Sequence, residues 1–292
     1  MTSPYRTLIV IPARGDSKGI PRKNASSLAG RPLVARAILT ARAADAEARV
    51  VVSTDDAEIA SIAHRTGAHV VMRDPSLATD AVTLDPVVHD VVLRDEAAGY
   101  ACDHVVTIQP TSPLLRPATV TRIVRRLAAD EADTILTAID DTHLAWGLRD
   151  GVPQPEYASR LNRQFLPPRF RETGGVIASQ RRWVRIDSRF GPRVALEIVD
   201  AIEGLDIDSP EDWLFAEAAL GRRRVAFITI GDEQNGLGHV TRTRNLLECL
   251  HGHHTLVLCD PSQRLAIERL RSSRSEEHTS ELQSQFRISY AV

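Results

Sequence analysis

The chain has 292 residues, 43% hydrophobic and 25% charged, a balance that fits a soluble globular protein with a sizeable core. A formal net charge of -2 argues against bulk electrostatic binding to nucleic acid or to an anionic membrane surface, and no run reaches the roughly 18 apolar residues of a membrane span. Cys102, Cys249 and Cys259 are widely spaced without a C-x-x-C, so neither a zinc site nor a disulfide frame is expected. With no visible signal peptide, they fit a reducing cytoplasm.

Residues 8–11 (Leu-Ile-Val-Ile) form an apolar run suited to a buried parallel strand. The run empties into a loop with Gly15, Gly19 and Pro21 and four cations, Arg14, Lys18, Arg22 and Lys23. Glycine lets backbone N–H groups approach an anion and cations neutralise it, so this loop reads as a phosphate cradle. Of 36 Lys and Arg residues only Lys18 and Lys23 are lysines, and both lie here. A compact ammonium charge is not interchangeable with a guanidinium. The loop is neither a Walker A sequence nor G-x-G-x-x-G.

The elements that follow alternate. Residues 26–48 are predicted as a helix with Pro32 in its first turn, 49–53 as a second strand, 57–66 as a helix capped by Asp55 or Asp56 and ended by Gly67, and 69–72 as a third strand. A polar loop, 73–80, leads to a helix at 84–96 and a fourth strand at 104–108, whose end carries Gln-Pro-Thr-Ser-Pro (109–113). Ligands of open α/β sheets bind beyond the carboxyl ends of strands, which places Gln109, Thr111 and Ser112 near the cradle. A helix at 117–129 and a fifth strand at 134–139 complete a βαβ pattern that predicts parallel strands with right-handed crossovers.

Periodicity weakens over 140–171, a stretch rich in proline, arginine and aromatics that is expected to be an irregular lid or dimer contact. Strands are predicted again at 174–178 and 195–199. Alternation in Asp206-Ile207-Asp208 puts both carboxylates on one face of an extended segment, a candidate Mg²⁺ site beside a phosphate site. Ser209 then caps a helix with Pro210 at its first position, running to residue 220. After a junction at 222–224 come a strand at 225–230, a glycine loop at 231–238, a helix at 239–250 and a strand at 255–259. From residue 272 the chain is polar and aperiodic, without the further strands a second α/β domain needs. The expected division is 1–221, 222–274 (an incomplete domain) and a non-native-looking tail, 275–292, that resembles translated sequencing adapter.

Residues 8–24, with Val-Ser-Thr-Asp-Asp (52–56), Leu-Ala-Thr-Asp (77–80), Gln-Pro-Thr-Ser-Pro (109–113) and Asp-Ile-Asp-Ser-Pro-Glu-Asp (206–212), resemble the acylneuraminate cytidylyltransferases over roughly residues 6–221. The resemblance implies a mostly parallel, Rossmann-like α/β nucleotidyltransferase sheet flanked by helices, with a protruding dimerisation element and a homodimer. It implies transfer of CMP from CTP to a nine-carbon sugar acid, with Mg²⁺ as cofactor. Carried over by motif, Arg14, Lys23 and Asp208 are the catalytic candidates, with Lys23 preferred to Lys18, which belongs to the cradle wall. Ala13, Arg14, Gly15, Ser17, Lys18, Gly19, Lys23, Asn24 and Arg73 are the nucleotide-binding candidates. Gln109, Thr111, Ser112 and Arg171 are the sugar-side candidates, and Asp206 and Asp208 the metal ligands. The chain has no lysine in 143–149, where some family members carry one that reaches the sugar; which acid is used is not legible. Residues 236–244 resemble the first glycine loop of nucleotide-sugar hydrolases and glycosyltransferases, with His239 as the active-site equivalent, in a domain expected to be inactive because it is incomplete. A cytidylyltransferase for the eight-carbon acid Kdo, another sugar nucleotidyltransferase, or a non-catalytic nucleotide-sugar-binding scaffold are the competing readings.

Overall fold

The apolar run at the start of the chain becomes β1 (Thr7–Pro12), buried along its whole length. In the computed structural model, which describes residues 5–17, 19–232, 236–250, 253–260, 262–271 and 287–288, two compact units are present, residues 1–217 and 218–292. The first unit is built on β1, β2 (Arg49–Thr54), β3 (His69–Met72), β4 (His104–Ile108), β5 (Thr134–Asp140), β6 (Phe170–Gln180) and β7 (Val194–Ile198). They form one sheet in the order β3-β2-β1-β4-β6-β5-β7. Strand β6 runs antiparallel to both its neighbours; every other pairing is parallel.

A sheet with this topology needs cover on both faces. Helices α1 (Leu33–Ala44), α2 (Ala57–Thr66) and α4 (Pro117–Ala128) pack on one face, where Ile9, Ile11, Val50, Val52, Val106 and Ile108 meet Val34, Ile38, Ile59, Val120 and Ile123. Helix α3 (Leu84–Ala97) covers the other through Val88, Val91 and Val92, against Leu8, Val10, Val51 and Val105. Each such fully buried aliphatic side chain stabilises the fold by roughly 1.5–3 kcal/mol. The chain reverses its winding direction between β1 and β4. Loops leaving the carboxyl ends of these two strands therefore diverge and leave a crevice.

Local departures from the predicted elements have simple causes. The first helix begins at Leu33, not residue 26, because Ser27–Leu28 and Arg31–Pro32 pair as a small hairpin turned through Ala29 (φ 45°) and Gly30 (φ 78°). Within the predicted irregular stretch, Trp146–Arg149 pairs with Val152–Pro155 around Asp150 (φ 53°) and Gly151 (φ 78°). Asp-Gly is the residue pair a tight hairpin turn selects. Strand β6 is longer than predicted and carries a register break between Glu172 and Ile177, where Gly174 has φ +70°. Helix α5 (Pro210–Leu220) starts at the expected proline: the Asp212 carboxylate accepts from the backbone N–H groups of Asp208 and Ser209, and Ser209 Oγ accepts from Asp212 N.

In the second unit β8 (Arg224–Ile228) and β9 (His254–Leu258) pair in parallel, with α6 (Gly238–Glu248) and α7 (Arg264–Arg271) sharing a small core of Val240, Cys259, Ala266 and Ile267. A further short strand, Arg287–Ile288, pairs with β9 through its open backbone edge, where no strand was expected. His239 stands exposed in the first turn of α6. Residues 233–235 of the glycine loop, and most of the adapter-like tail, lie outside the described residues.

Candidate active site

Beyond Pro12 the chain stays attached to the sheet for one more residue, with Ala13 N donating to Ser53 O at 2.9 Å, and then turns into the cradle. The cradle is braced from three directions. Asp55, just past the end of β2, accepts from Gly15 N at 2.9 Å. Asp56 caps α2 by accepting from Ile59 N at 2.9 Å, so the two adjacent aspartates divide the labour that sequence left open between them. Asn24 Nδ2 donates to Arg14 O at 2.9 Å, closing the loop on itself, while the Asn24 carboxamide oxygen is buried without a partner.

The third brace comes from the far end of the unit. Lys23, 8% exposed, sends Nζ to Ile207 O at 2.5 Å and to Asp208 Oδ1 at 3.3 Å. Ile207 is fully buried, and its N–H donates to Thr111 O at 2.8 Å. Segment 206–208 is thus stapled between the cradle and the loop after β4. Gly19 belongs to the same junction, since a Cβ there would stand 2.3 Å from Asp208 O.

These contacts surround a cleft of about 210 Å³ lined by Arg14, Ser17, Lys23, Asn24, Arg73, Gln109, Thr111, Asp206 and Asp208, with Pro12, Leu84 and Pro110. A second cleft of about 520 Å³ is lined by Arg171, Glu172, Thr173, Gly174, Leu205, Asp206, Asp208 and others. The two share Asp206 and Asp208. A larger cavity, about 750 Å³, is lined by Tyr5, His104 and Gln180 at the opposite ends of the strands, away from the cradle.

Electrostatics sort the residues further. Burial pushes the Asp206 carboxyl above its ordinary pKa; Asp208 and Asp212 add to this, while a hydrogen bond with Thr111 and the charge of Lys23 oppose it. One Asp206 oxygen is buried without a partner. Arg73 is anchored by Ser53, Nε on its hydroxyl at 3.2 Å and Nη2 on its carbonyl at 2.9 Å, and burial draws its pKa down against the charge of Asp55. Arg14 is paired with Asp80 at 2.7 Å. Arg22 is a correction: it adopts φ 54° and pairs with Asp56 and Glu58, so this cation serves α2 rather than the cradle.

Most sequence candidates converge. Ala13 is fully buried at the end of β1 and Gly15 is tied to Asp55, whereas Ser112 is buried with an unpartnered hydroxyl and lines neither cleft. Arg171 lines the second cleft, not the first. Lys18 lies outside the described residues. The residues missed are Glu172, Thr173 and Gly174, brought in by the β6 register break, and Asp55 and Asp80, whose bracing roles a motif match alone does not state.

A cytidylyltransferase family model matches residues 8–150. The chain is 29% identical to the CMP-N,N'-diacetyllegionaminic acid synthase of Legionella pneumophila, over 76% of this chain and 100% of that protein. It is 27% identical to the pseudaminic acid cytidylyltransferase of Campylobacter jejuni, over 73% and 95%, and 31% identical to N-acylneuraminate cytidylyltransferase B of Danio rerio, over 79% and 54%. Among solved structures, CMP:2-keto-3-deoxy-manno-octonic acid synthetase complexed with CTP superposes with a TM-score of 0.56 at 16% identity, over 74% of this chain and 98% of that one, a likeness of fold. The cradle, the loop after β4 and the first strand of the hairpin that follows β5 lie within the matched residues 8–150; the second strand of that hairpin, Val152–Pro155, lies beyond them.

Proposed function

We propose that the chain transfers CMP from CTP to a nonulosonic acid, a sialic-acid-like sugar, and releases pyrophosphate. The observation that carries this is the shared wall. The cradle cleft and the second cleft meet at Asp206 and Asp208, so a nucleotide in one presents its α-phosphate to a sugar in the other. The names of the relatives supply the substrate class.

In this reading a sugar hydroxyl oxygen attacks the α-phosphorus and gives its proton to water, the bond to the bridging oxygen breaks, and pyrophosphate leaves with the electron pair. Such transfers need positioning and charge neutralisation more than covalent help. Arg14 and Lys23 neutralise the phosphates and the charge that grows on pyrophosphate. Arg73, Asn24 and Ser17 line the nucleotide cleft, as do Gln109 and Thr111, which the sequence reading put on the sugar side; Arg171, in the second cleft, offers a cation to the sugar carboxylate. Asp206 and Asp208 would hold Mg²⁺, which takes one or two carboxylates and fills its other positions from phosphates and water. The donor set fits: two neighbouring carboxylates, one with an unpartnered buried oxygen. When bound, the ion supplies charge neutralisation at the phosphates and a lower pKa for the attacking hydroxyl.

The hairpin after β5 and the aromatic stretch beyond it are proposed as the dimer contact, and a cytoplasmic location accords with three free cysteines. No helix among the described residues is long and apolar enough to cross a membrane. Pyrophosphate release with CTP, Mg²⁺ and a panel of legionaminic, pseudaminic, N-acylneuraminic and eight-carbon acids tests the reading. Turnover with a nine-carbon acid supports it; no turnover with any of them sinks it.

A further inference from the structure

Two motif aspartates, Asp55 and Asp80, take no part in the chemistry above, yet both touch the cradle. Asp55 fixes its backbone through Gly15 N. Asp80, in the loop that leads to α3, accepts a hydrogen bond from Arg14 Nη1 at 2.7 Å. The cleft gathers three cations, Arg14, Lys23 and Arg73, and the charges of Arg14 and Asp55 both act on Arg73. Like charges in one cleft repel, and Asp55 and Asp80 are the opposite charges set against two of them.

We infer that Asp80 is a positioning residue for Arg14, an inference that rests on the nucleotidyl-transfer reading. A guanidinium carries five N–H donors in a rigid planar fork. Holding it at Nη1 fixes the plane and leaves Nε and Nη2 for a phosphate. The backbone beneath is fixed as well, since Asn24 holds the Arg14 carbonyl. An unheld arginine side chain loses rotamer freedom on binding; one held in place has already lost it. The pair is solvent-exposed, with Arg14 and Asp80 side chains 33% and 51% accessible. Exposed pairs of this kind add little to fold stability. Its consequence therefore lies in the orientation of Arg14.

The test is steady-state kinetics on the full chain, varying CTP at saturating sugar acid, with calorimetry of CTP binding, for Asp80→Asn, Asp80→Glu, Arg14→Lys and the Asp80→Asn/Arg14→Lys double variant. Asp80→Asn should raise the KM for CTP about tenfold, the loss expected from one misplaced charge-assisted contact, while the KM for the sugar acid and the melting temperature stay put. Asp80→Glu should recover part of the loss. The double variant should lose no more than Arg14→Lys alone, because both changes act on one contact. A KM for CTP within about twofold of wild type in Asp80→Asn, or additive losses in the double variant, overturns the inference while wild-type turnover leaves the reaction standing. A wild-type chain that neither binds CTP nor releases pyrophosphate overturns the underlying reading, and the inference with it.

Discussion

Lys23 and Asp208 meet at 3.3 Å across 185 residues of sequence, the lysine nearly buried and the carboxylate side chain 79% exposed. Lys23 also gives an N–H to the carbonyl of Ile207. Among the described residues the chain thus holds two of the three ammonium donors, and the proposed reaction gives the third to a phosphate. The ion pair links the cradle to the aspartate pair.

From this follows the behaviour of Lys23 variants. Lys23→Met keeps the length and removes the charge, so pyrophosphate release should fall by about a hundredfold or more, the usual cost of deleting one oriented donor. Lys23→Arg should not restore it, because a planar fork cannot take the place of a point charge at a site this enclosed. Wild-type kcat in Lys23→Met would remove the lysine from the mechanism. A lower melting temperature is expected in both variants, since the Ile207 carbonyl loses its buried partner, at a cost of about 1–3 kcal/mol.

Gly19 answers to the same junction. Its absent side chain lets the cradle lie against the backbone oxygen of Asp208, where a Cβ would sit 2.3 Å away. A backbone atom cannot swing aside as a side chain can. Gly19→Ala should therefore push the cradle off segment 206–208 and raise the KM for CTP, with a small change in melting temperature because the residue is exposed. Unaltered CTP kinetics in this variant would show that the loop tolerates separation from Asp208.

How much of this was legible in sequence depends on whether the signal was local. The strand-to-glycine-loop step at 8–24 and the βαβ alternation announce β1 and the helices around it, because burial on both faces forces continuous apolar runs. Arg73, a nucleotide-binding candidate, lines the cleft although none of the motif segments contains it. What escapes is what long-range pairing decides. The antiparallel insertion of β6, which brings Gly174 and Gly175 beside Gln109 and Glu172 and Thr173 into the second cleft, has no local signature except Gly174 itself. The outward turn of Arg22 depends on Glu58, 36 residues away. The hairpin at Trp146–Pro155 did have a local signal in Asp150-Gly151, overlooked amid the surrounding prolines.

Asp206 makes stability and metal affinity depend on pH in a definite direction. Its folded pKa is raised, chiefly by burial, above the unfolded aspartate value of about 3.9. The folded state therefore holds this proton more tightly, and its contribution to stability is lost as pH rises through the folded pKa. Asp206→Asn should raise the melting temperature at neutral pH in the absence of Mg²⁺. Metal binding requires the deprotonated carboxylate, so stabilisation of the wild type by Mg²⁺ with CTP should grow as pH rises through the folded pKa of Asp206 and be much weaker in the variant. Equal Mg²⁺ responses in both proteins would take Asp206 out of the metal site.

The hairpin of Trp146–Arg149 and Val152–Pro155 exposes Trp146, Leu148 and Val152, and the stretch after it exposes Phe165 and Phe170. A two-stranded hairpin standing alone is marginal in water, and exposed apolar patches of this kind mark contact surfaces. Leu148, 73% exposed, is the side chain whose replacement disturbs the monomer least. In sedimentation velocity the wild-type chain should run as a dimer and Leu148→Glu as a monomer with an unchanged circular dichroism spectrum. A wild-type chain that sediments as a monomer at every concentration tested rules out the dimer, and a Leu148→Glu chain that remains dimeric moves the contact away from this hairpin.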